Sequence, residues 1–290
     1  MPHWDDSAIL GGMRIDFIKM HGAGNDFIVF DLPAGQAPLS AEQFRKLGDR
    51  RTGIGFDQAL LLEKPRRPDT AVFYRIFNSD GFEVEQCGNG ARCIAALLYR
   101  RGQTSAGAVT MDSPAGLIHA RVQSDGLVSV DMGVPSFEPR SLPFDAPERA
   151  DTYSLDVNGR KVEIGAVSMG NPHAVLTVDS IDTAAVETLG PAIERHPRFP
   201  NRVNAGFAQV VDRSHIRLRV YERGVGETLA CGTGACAAVA VLRSRGLLES
   251  SVAVSVPGGA LRVDWEGTRG QDKIWLTGPA EVSFEGHVEV

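Results

Sequence analysis

The sequence predicts an α+β protein made of two copies of one β-rich domain, each wrapped around a central helix. Three observations carry this. Short, alternating, β-branched segments separated by Gly, Pro, Asp and Asn dominate the chain. Helical patterns are few. One glycine-studded cysteine turn occurs twice, as CGNGARC from Cys87 to Cys93 and as CGTGAC from Cys231 to Cys236.

In chain order, MPHWDDSAILGGM is acidic, lacks the pattern of a secretory signal and reads as a disordered leader over residues 1–12, before a strand starting near Met13. Strand patterns follow in RIDFIKM, FIVFD, DQALLLE, VFYRIFN, AVTMDS and LVSVDMG. A second series runs EIGAVSM, AVLTVD, FAQVVD, HIRLRVYE, SVAVSVPGG and KIWLTG. SAEQFRKLGDRR reads as a helix capped by Ser40, and the stretch from Asp182 as a surface helix broken near Pro191. The helices after the two cysteine turns are apolar around most of their circumference and are expected inside their domains.

The repeat sets the architecture. With Cys87 aligned on Cys231, Gly88, Gly90 and Ala91 fall on Gly232, Gly234 and Ala235, and Arg101–Gly102 falls on Arg245–Gly246. Upstream, GND at Gly24 matches GNP at Gly170, Gln58 matches Asn204, and Asn78 matches Glu222. Duplication places the two turns face to face across a cleft. Pro and Gly interrupt the strands in GVPSFEPRSLPF, which puts the boundary after Met132.

The chain has 290 residues, 43% hydrophobic and 23% charged, with net charge -6, ordinary values for a globular protein. That balance argues against a nucleic-acid partner. No apolar run is long enough to cross a bilayer. Four cysteines without an export signal point to a reducing compartment, with the cytoplasm as the expected location.

A cysteine at a helix start meets backbone N–H groups without intrahelical partners, and glycines let a ligand approach that backbone closely. Such a turn favours a carboxylate or a thiolate. Two of them facing each other suit inversion of an amino acid at its α-carbon: one sulfur removes the proton, the other returns one from the opposite face, and the N–H groups hold the enediolate charge. Cysteine serves because such surroundings can draw its pKa toward neutrality. Cys93 and Cys236 do not match between halves and read as core packing. The spacings lack the usual zinc-site form, and the turns lack a phosphate-loop ending. A switchable thiol redox pair is the rival reading; alanine in place of either cysteine separates the two, since only an isomerase has turnover to lose.

Over nearly the whole chain from Met13, the sequence resembles the diaminopimelate epimerases, in KMHGAGNDFIVFD, RRTGIGFDQ, FNSDGFEVEQCGNGARC, SMGNPHA, RVNAGF and YERGVGETLACGTGACA. The resemblance implies two β-barrel-like lobes, 13–132 with the returning strand 279–290, and 133–278. It implies interconversion of LL- and meso-diaminopimelate without cofactor or metal, with Cys87 and Cys231 as the catalytic pair. It assigns substrate binding to Asn25, Gln58, Asn78, Gly88, Asn89, Asn171, Asn204, Glu222, Arg223, Gly232 and Thr233, and tuning of the thiols to His173 and Glu222. At the substrate's far end, Arg223 suits a carboxylate and Glu222 an ammonium. Phe82 stands where a small polar residue is common. Phe284 stands where many members carry a tyrosine that supports a dimer, so a homodimer is expected.

Overall fold

The computed structural model describes residues 14–31, 39–84, 87–104 and 107–290. The leader and Met13 lie outside the described residues. The first half runs β1 (Arg14–Gly22), β2 (Asn25–Asp31), α1 (Ala41–Gly48), β3 (Gln58–Glu63), β4 (Phe73–Asn78) and β5 (Glu83–Val84). It continues through α2 (Gly88–Arg100), β6 (Ala108–Ser113), β7 (Gly116–Val122) and β8 (Val128–Asp131). The second half runs β9 (Tyr153–Val157), β10 (Arg160–Ser168), β11 (Pro172–Thr177), α3 (Val186–Glu194), β12 (Asn204–Asp212) and β13 (His215–Glu222). It continues through β14 (Gly226–Thr228), α4 (Gly232–Ser244), β15 (Ser251–Val256), β16 (Gly259–Asp264), β17 (Trp275–Gly278) and β18 (Glu281–Glu289).

Strand pairing repeats the same order in both halves. β1, β2, β3 and β4 pair in succession, and β10, β11, β12 and β13 do likewise. β18 covers the outer edge of β1, as β9 covers that of β10. Most pairs are antiparallel, as the alternation predicts. The exceptions are the parallel pairs β2–β3 and β4–β6 with their counterparts β11–β12 and β13–β15. A parallel pair needs a crossover, and each crossover here carries a helix: α1 and α3 in the first pair, α2 and α4 in the second. The lobes join where β8 and β17 pair antiparallel, from Asp131 opposite Trp275 to Val128 opposite Gly278.

The sequence of α2 and α4 explains their place. Gly88 to Ala95 are all buried in α2, and Gly234 to Leu242 are all buried in α4, so over these turns neither helix has a solvent face, and α2 is exposed only at its end, at Tyr99 and Arg100. Both enter the main core, with Ile94, Leu97 and Leu98 against the first-lobe strands and Val239 and Leu242 against the second. Burying a side chain of this size contributes about 1.5–3 kcal/mol. Two smaller clusters fill the outer layers, around Phe44 of α1 and around Ile193 of α3.

Ser40 caps α1 as expected, accepting from the Gln43 N–H at 3.2 Å while its own N–H donates to Gln43 Oε1 at 2.8 Å. The α3 region differs from expectation. The helix begins at Val186 rather than near Asp182 and continues through Pro191 to Glu194. Pro191 lies past the first turn and costs the helix one backbone bond, while its carbonyl still accepts from Arg195 N at 3.3 Å. Nor does the helix merely lie on the surface: a Cβ on Gly190 would stand 2.7 Å from Tyr221 of β13, so glycine lets it pack close. No helix among the described residues is long and apolar enough to cross a membrane.

Candidate active site

Each cysteine sits at the N-cap of its central helix in extended backbone, with no side-chain capping bond. Its carbonyl starts the helix, accepting from Ala91 N and Ala235 N, both at 2.9 Å. The residue after each must be small. A Cβ on Gly88 would lie 2.9 Å from Met132, and one on Gly232 would lie 2.9 Å from Leu276. Leu276 also stands 3.6 Å from a Cβ on Gly88, so one side chain of β17 packs beneath both turns.

The two turns touch. Asn89 Nδ2 donates to the carbonyl of Ala230, the residue before Cys231, at 3.3 Å, and to Asn25 Oδ1 at 3.1 Å. Asn25 opens β2, and its Oδ1 also faces the Cys87 thiol at 3.8 Å. On the opposite strand pair, Gln58 and Asn78 lie directly across from each other and share a 3.0 Å bond from Gln58 Nε2 to Asn78 Oδ1. Gln58 Oε1 and Asn89 Oδ1 are buried with no hydrogen-bond partner among the described residues, which leaves acceptors for a ligand's ammonium or amide hydrogens.

The second lobe builds its side from the same positions with different chemistry. Cys231 donates to Glu222 Oε2 at 3.1 Å, and the Thr228 hydroxyl donates to Glu222 Oε1 at 2.5 Å. Thr233 Oγ1 lies 3.6 Å from the Cys231 sulfur and accepts from Asn171 Nδ2 at 3.3 Å. His173 Nε2 meets Asn171 Oδ1 at 3.0 Å. Asn204 Nδ2 donates to the Pro172 carbonyl at 3.1 Å and reaches His173 Nε2 only at 3.5 Å, so the closer bond sets Nε2 as donor to Asn171. Asn204 Oδ1 accepts from Arg223 N at 2.9 Å, and the exposed Arg223 guanidinium donates to Asn201 O at 3.3 Å.

Burial pushes the Cys87 thiol above its usual range, against the pull of the Gly90 and Asn89 N–H groups. Cys231 stands well above that range, through burial, the Glu222 charge and its bond to that carboxylate. The expected drift toward neutrality is thus reversed: desolvation and a neighbouring anion outweigh the helix N–H groups. Burial lowers His173 to about 3, aided by the Arg223 charge, so its ring is neutral. Cys93 and Cys236 are buried, free, and raised to about 12 mainly by burial, the behaviour of core thiols.

All the first-lobe residues expected at the site converge on the Cys87 turn or on the β3–β4 pair beside it, and all the second-lobe residues except Arg223 bond directly around Cys231 or its Asn171–His173 support. Of the two roles expected of Glu222, the contact with the Cys231 sulfur is the one that suits tuning of the thiol rather than binding of a far-end ammonium. Phe284 lies apart, half exposed on β18, its ring edge-on to Phe17. Phe82 is exposed beside β5. Sequence reasoning missed Thr228, which fixes the Glu222 carboxylate, and Asp57, which holds Asn25 through a 2.8 Å bond. Both lie within quoted motifs, Asp57 beside Gln58 in RRTGIGFDQ and Thr228 in YERGVGETLACGTGACA, but the repeat singles out neither.

Two lobes of one topology, each delivering a residue to the start of a central helix, define the fold of the racemase, epimerase and PhzF-type proteins. A hydroxyproline epimerase from Agrobacterium vitis, solved with bound trans-4-hydroxy-L-proline, superposes with TM-score 0.68 at 18% identity over 96% of this chain and 93% of its own. A PhzF-family phenazine biosynthesis protein from Bacillus anthracis gives 0.66 at 18% identity over 96% and 100%. The sequence is more specific. The diaminopimelate epimerase family profile matches residues 17–138 and 165–283. Diaminopimelate epimerase of Thioalkalivibrio sulfidiphilus is 56% identical over 279 residues, 96% of this chain and 100% of that protein, and that of Ectopseudomonas mendocina is 52% identical over 278 residues with the same coverage. The chain belongs to the diaminopimelate epimerase family and is an isomerase.

Proposed function

We propose that the protein interconverts LL- and meso-2,6-diaminopimelate by proton transfer between two thiols, serving lysine and peptidoglycan precursor synthesis in the cytoplasm. The observation that carries this reading is the direct bond between the two cysteine turns, from Asn89 to the carbonyl beside Cys231. Two helix starts joined in this way support a single site shared by the cysteines at their N-caps.

In one direction a Cys231 or Cys87 thiolate takes the α-proton, becoming a thiol, and the electron pair of the broken C–H bond moves into the carboxylate as an enediolate. N–H groups at Gly88, Asn89, Gly232 and Thr233 receive that charge, which grows only as the proton leaves. The other thiol then donates its proton to the opposite face of the carbon and becomes the thiolate. The reverse reaction exchanges the roles. Glu222 and His173 act through their contacts on the Cys231 side, Glu222 directly on the sulfur and His173 through Asn171 and Thr233. Asn25, Gln58, Asn78, Asn171, Asn204 and Arg223 supply the amides and the cation that a diacid diamine satisfies and proline does not.

The test is solvent-deuterium incorporation at the α-carbon of LL-diaminopimelate by the reduced protein without additives, with L-proline in parallel. Deuterated meso product from diaminopimelate alone supports the reading. No exchange and no inversion with either compound refutes it, and exchange with proline only reassigns the substrate. β18, paired on one side to β1, offers its other edge and Phe284 as the homodimer face we propose.

A further inference from the structure

The two asparagines at corresponding places beside the thiols are held in opposite ways. Asn25 Nδ2 donates to Asp57 Oδ2 at 2.8 Å. An ionised carboxylate only accepts, so this bond decides which end of the amide faces which way. The amide nitrogen faces Asp57, and Oδ1 is turned toward Asn89 Nδ2 and the Cys87 thiol. In the second lobe Asn171 turns its oxygen to His173 and its nitrogen to Thr233, the hydroxyl beside Cys231. Cys87 thus meets a carbonyl that can accept its proton, and Cys231 has no such carbonyl from Asn171.

Asp57 is itself held firmly. Arg50 Nη2 donates to Asp57 Oδ1 at 2.7 Å and to Asp26 Oδ1 at 2.7 Å, while Arg50 Nη1 donates to Asp26 Oδ2 at 2.9 Å. Backbone bonds lock the two aspartates together, from Asp26 N to Asp57 Oδ2 at 3.1 Å and from Asp57 N to Asp26 Oδ1 at 2.9 Å. Lys19 Nζ adds a 2.6 Å bond to Asp26 Oδ2 and another to the carbonyl of Gly55. The second lobe has nothing equivalent. Across the parallel pairs β2–β3 and β11–β12, His173 opposite Asn204 corresponds to Phe27 opposite Gln58, so Val203 stands where Asp57 does and Pro172 where Asp26 does.

We propose that Asp57, clamped by Arg50, is a positioning residue that fixes the Asn25 amide with its oxygen toward Cys87, so that this sulfur is held in its protonated form. The consequence for catalysis rests on the two-thiol reading above. Cys231 already donates to the Glu222 carboxylate, so the clamp gives Cys87 an acceptor of its own and narrows the difference between the two thiols. A carbonyl acceptor stabilises a thiol over a thiolate, and releasing the amide to present its NH2 reverses that preference. The other groups facing Cys87 are Arg92 and Cys93 of α2, Tyr74 of β4 and Glu222 of β13, and the variants below leave all of them in place.

The experiment follows iodoacetamide alkylation of Cys87 and Cys231 separately, by peptide mass spectrometry of the whole protein, as a function of pH and without diaminopimelate. Asp57→Ala, which leaves no acceptor for Asn25 Nδ2, is expected to lower the Cys87 midpoint by about one pH unit, about tenfold faster labelling on the acid side, and to leave the Cys231 midpoint in place. Removing a negative charge alone would act in the same direction, so the deciding variant is the double Arg50→Gln/Asp57→Ala, which keeps the net charge of the clamp and still removes the acceptor for Asn25. A lowered Cys87 midpoint in the double variant supports positioning. A midpoint restored to the wild-type value shows that only charge acted and overturns the proposal. Should these variants melt below the assay temperature, Asn25→Ala removes the acceptor and leaves the clamp, and an unmoved Cys87 midpoint there also overturns it. Because no substrate is present, absence of epimerisation would refute the functional reading and leave this result standing.

Discussion

At the scale of single residues, the site sets burial against polarity around two sulfurs. Both thiols are held above their usual range chiefly by burial, and turnover needs one of them ionised. The sign follows: kcat/KM for diaminopimelate should rise with pH between 7 and 9, about tenfold per unit on the ascending limb, and a rate falling over that range would contradict it. Glu222→Gln removes the negative charge beside Cys231 and replaces one carboxylate oxygen with an NH2. The Cys231 alkylation midpoint should drop, and epimerisation should fall about 10²-fold, because an amide cannot take up the thiol's proton. An upward midpoint would contradict the contact. The sulfurs, the asparagines and Glu222 were legible because duplication puts matched polar residues at matched offsets. Thr228 was not, since a lone threonine in a three-residue strand carries no pattern.

Among the elements, the parallel crossovers do most to position the site. β2 and β3 bring Asn25 and Gln58 to the same end of the sheet, and α2 returns through the lobe to set Cys87 against them. The Lys19–Asp26–Arg50 cluster pins the start of β2. Burial pushes the Asp26 carboxyl up, but the bonds from Arg50 and Lys19 outweigh it and hold its pKa at about 2, below the ordinary 3.8. A depressed carboxyl stabilises the fold above its unfolded value, and that contribution is lost as pH falls from 3.8 through about 2. Asp26→Asn should therefore cost about 2 kcal/mol at pH 7, with the gap to wild type closing near pH 2, as read by urea unfolding. A gap unchanged at low pH would contradict the assignment. The alternation that predicts strands does not tell a parallel neighbour from an antiparallel one, so the crossovers were hidden in the sequence. β5, with only two residues, is fixed by its pairing with β4 rather than by its own pattern.

For the whole molecule, the lobes meet at the β8–β17 pair and again where two hairpins touch. The β1–β2 turn at Ala23 lies against Gly258, whose N–H donates at 2.8 Å to Leu229 O just before Cys231. A Cβ on Gly258 would overlap the Ala23 carbonyl oxygen, a backbone atom that cannot give way without shifting the hairpin. Gly258→Ala should lower stability by about 1–3 kcal/mol and reduce epimerisation by prising the lobes apart beside Cys231. Wild-type melting and rate in that variant would show that the contact does not matter. Phe284→Glu should turn the proposed dimer into a monomer by sedimentation without unfolding it, since the ring is half exposed and touches only Phe17 among aromatic side chains. A dimer of unchanged strength would place the interface elsewhere. Architecture at this scale was the most legible part, because the repeat announces two lobes. The hairpin contact was not, because it depends on how the lobes are set against each other.

One measurement bears most directly on the paired thiols: the early fate of LL-diaminopimelate in deuterated water. Bases on opposite faces predict that, at low conversion, the meso product carries deuterium at its inverted centre while the recovered LL substrate remains unlabelled, and that Cys87→Ala and Cys231→Ala each abolish the product. Deuterium appearing in the LL substrate as fast as in the product, or inversion surviving the loss of either cysteine, would contradict it.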